Sequence, residues 1–262
     1  MPKKLIRPAP TLGGYPTELP VDPNRELKDS LASLRKDPEY SDLMIICRSY
    51  TFLAHKCIVC PRSEYFAKVC HSRFREGISG KIELHNDEPV LVEKVLDYLY
   101  TLDYEAEALE TPADRLSNDE ALEPYTVSAT VEAISDPPSA PAAPALDPLS
   151  FHIQLYSLAD RLFIHSLKFL SRQKAELELF RRLNCDTFAL AVIEIYNSTP
   201  EYDRGLRDMI VRMTAEHLVT LRRDAEAWPR IQDDIFKKVP EFTRDLLLGM
   251  IDRSLGRSGI RL

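Results

Sequence analysis

The chain has 262 residues, of which 44% are hydrophobic and 29% are charged, and its formal net charge is −7. These fractions are typical of a globular protein that buries a core, and the length allows one long domain or two short ones. No apolar run of 18 residues or more is present, so the sequence predicts no membrane span. The basic N-terminus lacks the apolar stretch of a secretory signal, which favours a cytoplasmic or nuclear protein.

The negative charge is concentrated in one segment of the chain. Residues 105–150 contain ten acidic residues, one basic residue and seven prolines. High acidity with few large apolar residues favours disorder, and we therefore predict a disordered insertion over 105–150. Because the rest of the chain is close to neutral, the sequence predicts no basic surface for nucleic acid.

The first predicted elements are an arm and a short helix. Residues 1–24 are rich in proline and are predicted to form a disordered arm. From Arg25 to Arg35, three leucines recur at helical spacing and predict an amphipathic helix: Leu27, Leu31 and Leu34. Three leucines do not stabilise so short a helix alone, so it must pack on its own domain or on a second subunit.

A compact unit follows between residues 41 and 104. The continuously apolar stretch 43–47 predicts a buried strand, and residues 50–55 predict the return strand of a hairpin. Pro61 is expected to end a short helix, and Ser63 is placed to cap the next one. A longer helix is predicted after Pro89, because apolar residues from Leu91 to Leu99 form one stripe.

Helical patterns resume after the insertion. Order is predicted to return at Phe151, with two helices up to residue 183, and residues 184–256 are helical throughout by pattern. Asp186 is placed to cap the first helix of this last region, and Trp228 is expected to start a later one. A long insertion is tolerable because the entropic cost of lengthening a loop grows only logarithmically, provided that its ends lie close together.

Five passages in consistent order resemble the BTB/POZ domain family. They are SDL at 41–43, FLAHK at 52–56, CPRSEYF at 60–66, FRE at 74–76 with IEL at 82–84, and LDYLYT at 96–101. After the insertion, LYSLADRLFIHSL at 155–167 resembles the closing helical hairpin of that family. KVPEFTRDLLLGMI at 238–251 resembles the helical tail of BTB proteins common in fungi. The resemblance implies an α/β (α+β) BTB/POZ fold over 25–183, interrupted by the insertion and followed by an all-helical region over 184–256.

The sequence contains one weak candidate for a metal or redox site. Cys57 and Cys60 have the spacing of half a zinc site, and Cys70 with His71 is the only nearby pair that could complete it. The apolar neighbours of these cysteines favour buried thiols that act as small hydrophobes. No Gly-x-Ser-x-Gly elbow and no glycine-rich phosphate loop is present. We therefore predict no catalytic residue, no metal and no cofactor, and hence no enzyme.

Other polar residues are candidates for partner contacts. His55 and Asp42 could suggest acid–base chemistry, but the resemblance places both near the dimer-side pocket and favours a structural or partner-binding role. Tyr100 and Tyr104 near the end of the third predicted helix suit either the core or an interface, because tyrosine combines apolar area with a hydroxyl group. The predicted interaction residues are Leu27, Leu31, Leu34, Asp42, His55, Tyr100 and Tyr104.

The resemblance implies protein–protein interaction without catalysis. The BTB part would form a homodimer or bind a cullin scaffold, while the C-terminal helices or the acidic insertion would engage a client, as in an adaptor of a ubiquitin ligase. The family's cullin binders often carry a hydrophobic-x-Glu element after the third helix, and the pairs Tyr104-Glu105 and Ala106-Glu107 do not match it cleanly. The alternatives are a scaffold or transcription-linked protein without a ubiquitin role and an enzyme of unknown type.

Overall fold

The computed structural model describes residues 22–37, 39–71, 79–106, 147–183, 187–223 and 235–255. Residues 1–21 of the predicted arm (1–24), most of the insertion, the Asp186 cap and the predicted helix start at Trp228 lie outside these ranges. The last two residues of the predicted arm belong to a helix that begins at Pro23 and not at Arg25. Within them, no helix combines the length and the apolarity that crossing a membrane requires.

Helix α1, Pro23–Lys36, precedes the sheet. The Asp22 carboxylate accepts a hydrogen bond from the Asn24 amide, and proline in the first turn suits the start of a helix. Its Arg35 forms an ion pair of 3.0 Å with Asp97. No residue of α1 is buried, so the helix lies on the surface of the unit that it precedes.

Among the described residues, three strands form one small sheet in the order β2-β1-β3. Strands β1 (Leu43–Cys47) and β2 (Tyr50–Ala54) form the predicted antiparallel hairpin, and β3 (Lys81–Glu83) pairs with β1 in parallel. Arg48 in the two-residue turn has a positive φ of 54°, and its guanidinium donates two hydrogen bonds to the Glu88 carboxylate. One face of the hairpin is buried, as the apolar pattern of β1 predicts.

Helices cover the buried face of this sheet. They are α2 (Lys56–Val59), a 3₁₀ turn (Cys60–Arg62), α3 (Glu64–His71) and α4 (Pro89–Thr101). The Ser63 hydroxyl accepts from the Phe66 amide at 3.3 Å, as the predicted cap requires, and donates to the Leu162 carbonyl at 2.7 Å. Helix α4 ends where Leu102 adopts a left-handed φ of 69°.

In the part of the chain that the structure describes, five helices follow the insertion: α5 (Pro148–Arg161), α6 (His165–Arg181), α7 (Thr187–Ser198), α8 (Arg204–Arg223) and α9 (Pro240–Ser254). Order returns at Pro148 rather than Phe151, because the Asp147 carboxylate caps α5 and the proline occupies its first turn. Helix α6 begins two residues after Phe163, which has a φ of 53° and is largely exposed.

Two apolar cores meet on helix α5. Phe151, Leu155 and Leu158 of α5 belong to the core of the sheet and α2–α4, whereas Ile153 and Tyr156 belong to the core of α6–α9. Because one amphipathic helix serves both cores, the C-terminal helices are built directly onto the first unit.

A buried polar network strengthens this junction. The Tyr156 hydroxyl donates to the Asp203 carboxylate at 2.6 Å, and the Lys168 ammonium lies 2.8 Å from the other oxygen. Burial raises the pKa of Asp203, but the hydrogen bonds from Lys168 and Tyr156 outweigh it and hold that pKa below its ordinary value. Gly205 leaves room for this arrangement, since a Cβ atom there would lie 2.1 Å from the Tyr156 hydroxyl oxygen.

Candidate protein-interaction surface

The apolar stripe of α1 is the clearest exposed hydrophobic feature before the sheet. Leu27 is 60% exposed, whereas Leu31 and Leu34 are half-buried and Leu34 packs against the first core. The C-terminal end of the stripe therefore attaches the helix to the first core, whereas its N-terminal end, at Leu27, is exposed to solvent. An exposed leucine on such a helix is suited to a contact with another protein surface.

The structure places His55 in the interior and not at a surface. Its side chain is buried, with Nδ1 2.7 Å from the Tyr100 hydroxyl and Nε2 2.8 Å from the Glu39 carbonyl oxygen. These partners assign the proton to Nε2, so that Nδ1 accepts from the tyrosine. The Tyr100 hydroxyl also accepts from the His55 amide at 2.9 Å, and burial raises the pKa of Tyr100. His55 and Tyr100 thus stabilise the start of α2, which agrees with the structural alternative for both residues; a contact with a partner stays a prediction.

Asp42 has a capping role close to this pair. Its carboxylate is exposed and accepts a hydrogen bond of 2.7 Å from the Lys56 amide at the first turn of α2. A carboxylate in that position stabilises the free amides at the N-terminus of a helix. Asp42 does not contact the His55 side chain in any described hydrogen bond, so the structure does not bring the two together as an acid–base pair.

Tyr104 is also internal, and it joins the two sides of the insertion. It is 3% exposed, and its hydroxyl lies 2.9 Å from Nδ1 of His152 on α5. Lys174 of α6 lies over the ring, at 4.1 Å from its centroid, and donates to both the Tyr104 carbonyl and the Asp103 carboxylate. Burial lowers the pKa of His152 to about 4, with help from the positive charge of Lys174. The hydroxyl of Tyr104 is thus engaged inside the protein, as the core alternative for this residue expects, and a contact of Tyr104 with a partner stays a prediction.

The sequence does not reveal His152 and Lys174 as important residues. Each is a single polar residue in a helical pattern, and their partners lie 48 and 70 residues earlier in the chain. The only available signal is that His152 falls beside the apolar residues of α5, where a buried polar group requires a hydrogen-bond partner.

The cysteines do not form a metal site within the described residues, where no cluster of three or more potential ligands occurs. Cys57 is exposed and not buried as predicted, because α2 is only one turn long and turns this side chain outward. Cys60 is half-buried, and burial together with a hydrogen bond to Cys70 raises the pKa of its thiol to about 12. A thiol with so high a pKa is a poor nucleophile at neutral pH.

A groove of about 810 Å³ lies between α1, β2, α4 and the segment that enters the insertion. Its walls include Arg35 and Lys36 of α1, Thr51 and Leu53 of β2, and Asp97 of α4. Residues 103–105 also line it. The groove is lined by charges of both signs around a strand edge, and such a site suits a polypeptide better than a small apolar molecule.

Comparison with known proteins identifies the first unit. Residues 31–134 match the BTB/POZ domain family. Kelch-like protein 30 of Homo sapiens is 28% identical over 77 residues, which is 29% of this chain and 13% of that protein. TD and POZ domain-containing protein 4 of Mus musculus is 24% identical over 75 residues, again 29% of this chain and 20% of that protein. The aligned stretch thus spans a fifth or less of these relatives.

These matches confirm the predicted family resemblance and, with the described elements, the mixed fold followed by a helical region. The family match ends at residue 134, so helices α5 to α9 lie outside it. The resemblance of the tail to fungal proteins stays a prediction.

Proposed function

We propose that this chain, which carries a BTB/POZ domain at residues 31–134, is a non-catalytic adaptor that self-associates through α1 and the first strand and holds a client on its helical region. BTB/POZ domains are protein-interaction modules, and that coarse function applies here. The observation that carries the finer proposal is α1 itself, a 14-residue helix with no buried residue and an exposed Leu27.

The helical region offers a second surface, as an adaptor requires. Leu247 and Ile251 on α9 and Leu255 directly after it recur every four residues and are all exposed. The other side of this helix packs against the second core through Phe242 and Leu246. Self-association on one surface and client binding on another therefore use separate parts of the chain. A cytoplasmic or nuclear location belongs to the same proposal.

The oligomeric state tests this proposal. Light scattering of the full chain is expected to give a dimer at micromolar concentration, and the Leu27→Asp, Leu31→Asp variant is expected to be monomeric. Lys28→Asp changes the net charge by the same amount on the exposed part of α1 and should stay dimeric. A full-length chain of monomer mass across this range, or a leucine variant that stays dimeric, would refute self-association through α1.

A scaffold without a ubiquitin role is the second candidate, and the position of Tyr104 favours it. A hydrophobic side chain at the start of the segment after α4 would have to be accessible to a cullin, but Tyr104 is buried against His152. Titrating the purified full chain with the N-terminal domain of a cullin separates the two. Saturable binding of the cullin domain would support the ligase adaptor. If the chain is dimeric and does not bind the cullin domain, the scaffold without a ubiquitin role is favoured.

A further inference from the structure

Two free cysteines lie close together at the edge of the first core. Cys60 opens the 3₁₀ turn that precedes α3, and Cys70 lies in the last turn of α3. Both thiols are half-buried, and both side chains pack against the first core. They therefore combine a fixed position with partial access from solvent, which neither a fully buried nor a fully exposed thiol has.

Two observations place the sulfur atoms of these residues side by side. The Cys60 thiol donates a weak hydrogen bond of 3.8 Å to the carbonyl oxygen of Phe66, which precedes Cys70 by one helical turn. Because side chains of an α-helix tilt toward its N-terminus, the Cys70 side chain extends over that same turn. The thiol of Cys60 accordingly interacts with that of Cys70 as well as with the backbone.

The surroundings of the two thiols give them different chemical roles. Burial, and then the contact with Cys70, raises the pKa of the Cys60 thiol to about 12, so that Cys60 keeps its proton at neutral pH. Since the thiolate is the form that attacks a disulfide, Cys60 is unsuited to a first reaction with a molecule from solution. Cys60 is suited to a second step within the protein, because contact replaces diffusion and a thiolate of high pKa is intrinsically more nucleophilic.

We propose that Cys60 and Cys70 form a reversible disulfide bond with each other when the chain meets an oxidising small-molecule disulfide such as oxidised glutathione. Disulfides inside cells are typically transient and report oxidation. This pair would thus make the first unit sensitive to the redox state of its surroundings, independently of the contacts that α1 makes.

The reaction takes place in two exchange steps. The Cys70 thiolate attacks one sulfur of oxidised glutathione, which forms a mixed disulfide and releases one glutathione thiolate that takes up a proton. Cys60 then loses its proton and attacks the Cys70 sulfur, which forms the Cys60–Cys70 bond and releases the second glutathione. The two cysteines together lose two electrons and two protons, and one oxidised glutathione becomes two reduced molecules. Reduced glutathione in excess reverses both steps.

The bond would fix a turn that holds two helices together. Arg62, in the same 3₁₀ turn as Cys60, lies over the Tyr98 ring of α4 at 5.3 Å from its centroid and donates to the Leu99 carbonyl. A bond from Cys60 to the last turn of α3 therefore connects the far end of that helix with the turn that contacts α4. Such a short closed loop restricts the unfolded chain as well.

Peptide mapping by mass spectrometry of the folded full chain tests the disulfide. The Cys57→Ser variant is used, because Cys57 is exposed and shares the tryptic peptide 57–62 with Cys60. After incubation with oxidised glutathione and alkylation of the remaining thiols, we expect this peptide to be linked to the peptide 69–73 with the loss of two hydrogens. Treatment with dithiothreitol should separate the two peptides and restore both thiols.

Two further variants test the separate roles of the cysteines. Adding Cys60→Ser to the Cys57→Ser chain should leave one glutathionyl group on Cys70, because the second step is then blocked. Adding Cys70→Ser should instead leave Cys60 reduced, because that thiol keeps its proton and has no neighbour to attack. Each variant changes one sulfur atom to oxygen, so the two are matched controls for each other.

Four outcomes would overturn the proposal. Both cysteines could remain alkylated after the incubation, or glutathione could persist on Cys70 while Cys60 is present. Cys60 could take up glutathione in the chain that lacks Cys70, which would contradict the assigned order of attack. The two peptides could also be linked between two chains, which a non-reducing gel would show as a covalent dimer. Because the expected bond lies within one chain, this test and the test of self-association fail separately.

Discussion

Replacing His152 by glutamine should reduce the loss of stability of this protein between pH 7 and pH 5. The histidine is 6% exposed and packs against Tyr104 and Phe151, with Lys174 nearby, so its protonated form is disfavoured in the folded chain. Its pKa is lowered from 6.5 to about 4. As the pH falls, His152 therefore takes up its proton near pH 6.5 in the unfolded chain but only near pH 4 in the folded chain. The free energy of unfolding therefore decreases as the pH falls through this window.

The magnitude follows from the two pKa values. At pH 7 the linkage contributes almost nothing, whereas at pH 5 the unfolded state is favoured by about 2 kcal/mol through this one group. Urea denaturation at a fixed protein concentration should therefore show that the native chain loses about 2 kcal/mol more than the His152→Gln variant between pH 7 and pH 5. His165→Gln, at an exposed position, is the control and should behave as the native chain. If the native chain and the His152→Gln variant lost the same free energy of unfolding between pH 7 and pH 5, the inference that His152 is buried in its neutral form would be refuted.

Three further perturbations probe other parts of the chain. Deleting 110–146 should leave cooperative unfolding and lower the melting temperature by less than ~8 °C, and non-cooperative melting would contradict this. Changing Cys57 and Cys60 to alanine should release no zinc, and stoichiometric metal in the native chain by elemental analysis would overturn that expectation. Gly205→Ala should cost about 1–3 kcal/mol in urea denaturation because it displaces a buried tyrosine hydroxyl, while Gly249→Ala, whose nearest contact is a side-chain carbon at 3.1 Å, should cost less.

Local chemistry explains which parts of the fold the sequence predicts. The hairpin, the Ser63 cap and the start of α4 at Pro89 each depend on a few adjacent residues whose backbone preferences are strong. Phe163 shows where local chemistry gives no guidance. Its apolar side chain fits the helical pattern of the residues around it, but its positive φ places it between α5 and α6, and no local signal marks that conformation in a phenylalanine.

The candidate contact residues were harder to predict, because burial is a property of the whole fold. His55 and Tyr100 lie 45 residues apart in the chain, and their side chains form a hydrogen bond with each other in the interior. Leu27, which belongs to an apolar helical pattern typical of a buried face, remains exposed. Cys57 shows the opposite error, since a four-residue helix is too short for its apolar neighbours to define a buried face. Residue type therefore predicts whether a side chain is buried or exposed only where a long periodic helix or strand defines which of its faces points to the core.

The structure also explains why this fold tolerates a long insertion. The residues that flank it are held by the same helix, since Lys174 of α6 bonds to Asp103 before the insertion and Arg182 just after α6 bonds to Asp147 after it. Tyr104 and His152 close the gap between these two contacts. These contacts offset the entropic cost of closing the loop. That cost grows only slowly as the loop becomes longer. The same contacts therefore allow a segment of this length between α4 and α5.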